Sequence, residues 1–316
     1  MDKKYNFHIL KLICMKNIIS TKDFDPEFIT HIFGIADSQN HGNFPLEGKI
    51  MASLFYEPST RTRFSFETAM LRLGGQFITG DNMRQTTSVS KGETLDDTIK
   101  VLNNYVDVIV LRHYEEGASA RAAEISNIPI INAGDGSGEH PTQALLDLYT
   151  IKQELHRVDN LSVAIVGDLK NGRTVHSLIY LLAKYPNVNF KLVSPKQLVL
   201  PEEIKSYLQE NKIEFEEMED LSEVIKEVDV LYETRVQKER FTDKKAYEEV
   251  KDKIILTRPL VDSMKEHSII MHPLPRTNEI PPIIDTDHRA IYFKQTAYGL
   301  QIRKALLLYL FGHTDV

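Results

Sequence analysis

Short apolar runs alternate with stretches of helical spacing along most of the chain. Residues 49–56 form an apolar run of the length and content of a buried strand. Residues 60–73 follow with helical spacing, Phe64, Thr68 and Leu71 sharing one side, and Gly74-Gly75 marks the C-terminal cap. A helix is expected over 94–104, strands over 106–111 and 129–132, and a helix from Pro141, since proline is tolerated at the first helical position. A second series then begins. Strands are expected at 161–166, 188–193, 213–218 and 230–233, and helices at 174–184, 201–210 and 221–227.

This alternation predicts an α/β fold with two domains, each a parallel β-sheet flanked by helices. The boundary is placed near 150–160, where residues 156–160 turn polar. Residues 294–311 read as an amphipathic helix with no strand after it, and this helix is expected to pack back on the first domain. The predicted domains are therefore 1–150 with 294–316, and 151–293. No fixed-period repeat or low-complexity segment interrupts the pattern.

Composition narrows the chemistry. A chain of 316 residues fits two domains. With 42% hydrophobic and 26% charged residues, usage is that of a globular protein. The net charge of −7 argues against nucleic acid as a partner, so any anionic ligand must be held by locally placed basic residues. The single cysteine, Cys14, rules out an internal disulfide and a multi-cysteine metal site, and fits a reducing compartment. No apolar run approaches the roughly 18 residues of a membrane span. The apolar stretch from Phe7 to Cys14 is broken by Lys11 and no small-residue cleavage site follows it, so it is read as not a signal peptide. With a second methionine at Met15, the first 14 residues read as an extension or an upstream start. A cytoplasmic location is expected, with no membrane partner.

In open parallel sheets ligands bind beyond the carboxyl ends of the strands. After the first good strand comes Glu57-Pro58-Ser59-Thr60-Arg61-Thr62-Arg63. Strand, hydroxyl residues and helix start make an anion site, because free N–H groups point outward at a helix N-terminus and an arginine adds a planar fork. A serine cap followed by surface arginines is the plainer reading of the same residues. Arg112 ends the strand 106–111 and either faces that crevice or is a solvated strand end. Beyond the glycine-rich turn 134–138, His140 and Gln143 lie one turn apart at a helix start, either facing one ligand or serving as caps.

Together these segments are far more specific than each alone. Phe55 to Glu67, with Ser59-Thr60-Arg61-Thr62-Arg63 at its centre, resembles the carbamoyl-phosphate signature of the transcarbamoylases, and His140-Pro141-Thr142-Gln143-Ala144-Leu145-Leu146-Asp147 resembles that family's second signature. The resemblance runs from about Phe24 to the C-terminal helix. The family divides by amine acceptor, aspartate or ornithine. Gly167-Asp168-Leu169-Lys170-Asn171-Gly172-Arg173, Thr234-Arg235-Val236-Gln237 and His272-Pro273-Leu274-Pro275-Arg276 resemble the aspartate branch. The ornithine branch typically carries a cysteine after that last histidine, where this chain has Pro273. The physics agrees: aspartate brings two carboxylates that suit guanidinium forks, here Arg173 and Arg235. Each arginine alone also reads as a solvated surface residue.

The resemblance implies transfer of the carbamoyl group of carbamoyl phosphate to the α-amine of L-aspartate, the committed step of pyrimidine biosynthesis. It implies that Ser59, Thr60, Arg61 and Thr62 hold the phosphate, that Thr62, Arg112 and His140 surround the carbonyl oxygen, and that Gln143 holds the amino group. Arg173, Arg235 and Gln237 would bind aspartate, with Pro273, Leu274 and Pro275 shaping the wall. In the family a serine and a lysine from the loop before the helix at 94 complete a neighbouring subunit's site. Lys91 matches the lysine, acting on both substrates. Ser88 matches the serine, with Ser90 as the alternative. The plainer reading is a solvated polar loop. A homotrimer with shared active sites is implied, with a regulatory chain or another pyrimidine-pathway enzyme as a further partner. No cofactor and no metal are expected.

Three rivals differ in class. Ornithine as acceptor is disfavoured by Pro273 and by the arginine pair. A dinucleotide oxidoreductase would place G-x-G-x-x-G after the strand 161–166, and this chain lacks it. A non-catalytic homologue acting as a scaffold would be expected to have lost ligand positions, yet Arg61, Arg112, His140, Arg173 and Arg235 are all present.

Overall fold

The structure, a computed structural model, describes residues 16–38, 44–83, 92–241 and 243–313. The chain forms two compact units. One takes the chain up to Leu145 and again from Gly299, and the other is Leu146–Tyr298. The sequence pattern puts these boundaries at 150 and 294.

In the first unit, helix α1 (Pro26–Asp37) starts where Asp25 accepts the Phe28 N–H at 2.7 Å and proline takes the first helical position. Strand β1 (Ile50–Phe55), helix α2 (Thr60–Arg72), strand β2 (Gln76–Asp81), helix α3 (Leu95–Leu102), strand β3 (Val108–His113), helix α4 (Ala118–Ile125) and strand β4 (Ile130–Asp135) follow. The strands pair in parallel in the order β2-β1-β3-β4. Ala52, Leu54, Ile99, Ile109, Leu111, Ala122 and Ile130 belong to one buried cluster, as expected where helices cover a parallel sheet. Strand β4 continues past the expected end at 132 to Asp135. Strand β2 is not expected from the sequence pattern, because it is an edge strand whose residues are half-buried or exposed. From Gly299 onward the last helix belongs to this unit, with Arg303 over the Phe66 ring at 5.2 Å and Tyr309 edge-on to Phe28 at 5.3 Å.

Helix α5 (Pro141–Leu155) carries the chain across the unit boundary. The second unit then has strand β5 (Ser162–Val166), helix α6 (Arg173–Leu182), strand β6 (Asn189–Val193), helix α7 (Glu202–Glu210), strand β7 (Phe215–Met218), strand β8 (Val230–Glu233), short helices α8 (Lys244–Glu248) and α9 (Arg258–Asp262), strand β9 (Ile269–Met271) and the start of helix α10 (Lys294–Leu310). Its parallel sheet runs β7-β6-β5-β8-β9. The helix expected over 221–227 is instead a single 3₁₀ turn, Leu221–Glu223, capped by Asp220 and pinned by the buried Leu221, Val224 and Ile225.

Each sheet reverses direction once. In the first unit the chain moves from β1 outward to β2 and returns to the other side of β1 as β3; in the second it moves from β5 through β6 to β7 and returns beside β5 as β8. Such a switch point opens a crevice at the strands' carboxyl ends. The loops bordering these crevices are those after β1 and β3, and those after β5 and β8.

Candidate active-site residues

The loop after β1 carries the first set. Ser59 is the N-cap of α2, yet its side chain makes no capping hydrogen bond, so the plain cap reading does not describe it. Thr60 and Arg61 are exposed, and Thr62 is buried in the first turn. The helix presents its N–H groups and their partial positive charge at this end. Arg63 is spent elsewhere: it pairs with Asp81 at the end of β2 and approaches Glu67, which in turn accepts from Ser53 of β1 at 3.0 Å. Arg61 is the exposed arginine of the two.

Arg112 stands across the switch point. It pairs in register with Phe55, the last residue of β1, and its carbonyl accepts the Tyr56 N–H at 2.9 Å. Its guanidinium donates to the Ala133 carbonyl at 3.4 Å and lies 3.7 Å from Glu57. The fork is thereby held at the carboxyl ends of β1, β3 and β4. The adjacent His113 is engaged differently. Its ring lies 4.6 Å from that of Tyr56 and 4.3 Å from that of Tyr114, and burial lowers its pKa.

His140 and Gln143 are both buried at the start of α5, and the His140 carbonyl accepts the N–H groups of Gln143 and Ala144 at 3.0 and 3.1 Å. The turn leading to them is rigidly specified. Gly136 has φ +48°, and a Cβ there would come within 2.7 Å of the Glu116 nitrogen. Asp135 accepts from Gly117 and Glu139, and Glu139 accepts from the Thr21 N–H at 2.7 Å and from the Ser20 and Thr21 hydroxyls. The N-terminal segment therefore buttresses the residue next to His140, a role invisible in the sequence because the partners lie 118 positions apart.

In the second unit, Arg173 is the half-buried first residue of α6, beyond β5. Arg235 and Gln237 follow β8. The Arg235 guanidinium is fork-to-fork with Glu239, Nη1 donating to Oε2 at 3.0 Å and Nη2 to Oε1. That hydrogen bonding raises the pKa of Arg235 and lowers that of Glu239. Fully buried Asp168 ties the two loops together: it accepts the N–H groups of Asn171 at 2.9 Å and Gln237 at 3.3 Å, while the Gln237 side-chain amide donates to the Asn171 carbonyl at 2.9 Å. The approach is close enough that a Cβ on Gly167 would stand 2.1 Å from the Thr234 carbonyl oxygen.

Pro273, Leu274 and Pro275 follow β9, with the Leu274–Pro275 peptide cis and Leu274 at φ 55°. His272 holds this turn. Its Nδ1 accepts the Leu274 N–H at 2.8 Å, so the ring proton sits on Nε2, which donates to Glu279 at 2.9 Å. Burial works against the Glu279 charge, but hydrogen bonds from His272 and Thr277 outweigh it and hold the carboxyl at about 2. Behind this turn Asp147 accepts from Tyr232 of β8 at 2.7 Å and from Gln295 at 2.5 Å, and Gln295 accepts the His272 N–H at 3.2 Å. Asp147 closes the second signature segment, and its part in supporting β8 and the turn after β9 is not legible in the sequence.

Lys91, Ser88 and Ser90 lie outside the described residues. Among the described residues no cluster of three or more His, Cys, Asp or Glu side chains could hold a metal ion, and no helix is long and apolar enough to cross a membrane.

Two family models match the chain. The aspartate/ornithine carbamoyltransferase carbamoyl-P binding domain matches residues 16–153, and the Asp/Orn binding domain matches residues 159–310. The aspartate carbamoyltransferase catalytic subunit of Methanocaldococcus jannaschii is 52% identical over 299 residues, covering 93% of this chain and 97% of its own. Aspartate carbamoyltransferase 3, chloroplastic, of Pisum sativum is 51% identical over 300 residues, covering 93% of this chain and 77% of its own. Among solved structures, the M. jannaschii catalytic subunit superposes with a TM-score of 0.87 at 50% identity, covering 95% of this chain and 99% of that one. Aspartate transcarbamoylase of Trypanosoma cruzi, in complex with carbamoyl phosphate and aspartate, gives 0.87 at 41% identity, covering 92% and 95%.

Proposed function

The chain belongs to the aspartate/ornithine carbamoyltransferase family, and on that footing we propose that it is an aspartate carbamoyltransferase: it transfers the carbamoyl group of carbamoyl phosphate to the α-amine of L-aspartate, giving N-carbamoyl-L-aspartate and phosphate. The observation that carries the choice of acceptor is Arg235, whose fork beyond β8 already grips a carboxylate, that of Glu239. Both acceptors bring an α-carboxylate, but aspartate brings a second carboxylate on its side chain where ornithine brings an ammonium that such a fork would repel.

In this reading the first unit binds carbamoyl phosphate. Ser59, Thr60, Arg61 and Thr62 hold its phosphate at the α2 N-terminus, and Gln143 holds its amino group. The second unit binds aspartate through Arg173, Arg235 and Gln237, with Pro273, Leu274 and Pro275 forming the wall. The neutral amine attacks the carbonyl carbon, a tetrahedral intermediate forms, and its collapse breaks the bond to the phosphate oxygen, so that phosphate leaves carrying the proton the amine gives up. Negative charge developing on the former carbonyl oxygen is met by Arg112, the Thr62 hydroxyl and His140, donors oriented before the reaction starts. Alignment of the two substrates supplies much of the remaining acceleration. Lys91, with Ser88 or Ser90, completes the site of a neighbouring subunit, which makes a homotrimer the least active unit. The reaction is placed in the cytoplasm, and a regulatory chain or another pyrimidine-pathway enzyme is a further partner in this reading.

A ureido assay with carbamoyl phosphate and either aspartate or ornithine tests the assignment. Carbamoyl aspartate and no citrulline is the expected result; citrulline alone overturns the reading of the second unit. Mixing inactive Arg61→Ala and Lys91→Ala subunits tests the shared site. Reassembled hybrids regain activity if Lys91 serves a neighbour, and stay inactive if it serves its own subunit.

A further inference from the structure

Glu233 is the last residue of β8, directly before the segment that presents Arg235 and Gln237. It is fully buried, and neither carboxylate oxygen has a hydrogen-bond partner among the described residues. A bare carboxylate in such a place costs far more than a neutral acid, because nothing replaces its hydration. Its surroundings offer no relief. In register it lies beside Val166, at the end of β5. Beyond β5 is Asp168, whose oxygens serve Asn171 and Gln237. Beyond β9 are His272 and Glu279, hydrogen-bonded to each other. Lys251 lines a small cavity with Thr234, Val236 and Glu279. The charge among these that acts on Glu233 is the Glu279 carboxylate, and it is repulsive.

The backbone around Glu233 leaves little slack. The Thr234 N–H donates to the Val166 carbonyl at 2.9 Å, the Thr234 hydroxyl donates to the same oxygen at 3.2 Å, and that hydroxyl accepts the Asp168 N–H at 3.2 Å. The segment that follows Glu233 is thereby tied to the backbone at and beyond the end of β5.

We propose that Glu233 is a positioning residue for acceptor binding: held as the neutral acid, it keeps the end of β8 seated so that Arg235 and Gln237 stand where aspartate needs them, and its ionisation unseats them. Burial, reinforced by the Glu279 charge, pushes the Glu233 carboxyl well above the usual carboxylate range. The inference rests on the aspartate reading of Arg235 and Gln237.

The test uses succinate, which is aspartate without its amine, as a competitive probe in the presence of carbamoyl phosphate, so that titration of the substrate amine does not enter. Wild type and Glu233→Gln are compared from about pH 7 to about pH 10. In the wild type the succinate inhibition constant is expected to rise by up to about tenfold per pH unit once Glu233 ionises, since each unit removes tenfold of the binding-competent form. The Glu233→Gln variant, neutral at this position at every pH, is expected to give a flat profile, with its KM for carbamoyl phosphate following the wild type. Glu233→Met serves the same purpose should the glutamine variant fold poorly. An infrared difference between wild type and variant should show the carbonyl stretch of a protonated carboxyl at neutral pH, disappearing at alkaline pH. Parallel succinate profiles for wild type and variant, or an ionised carboxyl at neutral pH, overturn the inference while carbamoyl aspartate production leaves the assigned reaction standing. No carbamoyl aspartate at any pH overturns both.

Discussion

Glu239 occupies both arms of the Arg235 guanidinium, standing where a substrate carboxylate would be gripped. If aspartate takes those same two donors, the pair must part. Glu239 is more than half exposed, so the pair is worth at most about 1 kcal/mol, a factor of about five. Glu239→Gln is expected to lower the KM for aspartate by up to that factor, with kcat little changed. Arg235→Lys loses the two-pronged geometry and should raise the same KM by roughly tenfold to a hundredfold, leaving that for carbamoyl phosphate unmoved. Steady-state kinetics in both substrates checks each.

Arg112 is held by Ala133 and Glu57 at the first unit's switch point, aimed by backbone rather than by a flexible stem. Arg112→Ala should cut kcat by about 10²–10³, the usual effect of removing one preorganised donor to a developing oxyanion. Glu57 is partly exposed, so losing its partner should cost the fold less than about 1 kcal/mol. A thermal melt beside the rate measurement separates the two effects.

Asp168 touches no substrate in the proposed arrangement, yet it aligns the loops carrying Arg173 and Arg235. Asp168→Ala leaves the Gln237 N–H and the Asn171 groups without their acceptor, at about 1–3 kcal/mol. The expected signature is a raised KM for aspartate with carbamoyl phosphate binding intact, measured by titrating the variant with each substrate separately.

Glu279 and Glu233 make opposite contributions to stability as pH changes. Glu279 titrates at about 2 in the fold against 4.5 ordinarily, so its contribution is complete above about pH 4.5 and is lost as the pH falls towards 2. Glu279→Gln should flatten that acid limb in urea titrations. For Glu233 the folded chain holds a proton that the unfolded chain releases above about 4.5. Wild-type stability should therefore decline relative to Glu233→Gln by about 1.4 kcal/mol per pH unit above that point, until the folded-state carboxyl ionises too.

The interior strands β1, β3, β5 and β8 were legible because burial on both faces turns them into short apolar runs. The polar edge strand β2 carries no such run, and that of β9 is only three residues long. The residues grouped around the switch points were legible as motifs, but their present engagements were not. A serine before a helix reads the same whether or not it caps, and only the fold shows that Ser59 does not. Glu239 reads as one charge in a solvated stretch until its carboxylate is found on Arg235. Asp168 and Asp147 act through partners brought in by the sheet order, and no local pattern announces a contact across 69 or 85 positions.

The close approach of Gly167 to the Thr234 carbonyl has a consequence for anyone recasting acceptor choice by transplanting segments between relatives. With 2.1 Å between that oxygen and the place of a Cβ, and φ at +109°, the segment after β5 admits no side chain at this point. Its backbone is fitted to the backbone after β8, and neither can be exchanged as an independent cassette. A chimera that imports one without the other brings a mismatched pair of main chains into contact, so the two belong to a single heritable module and have to be moved together.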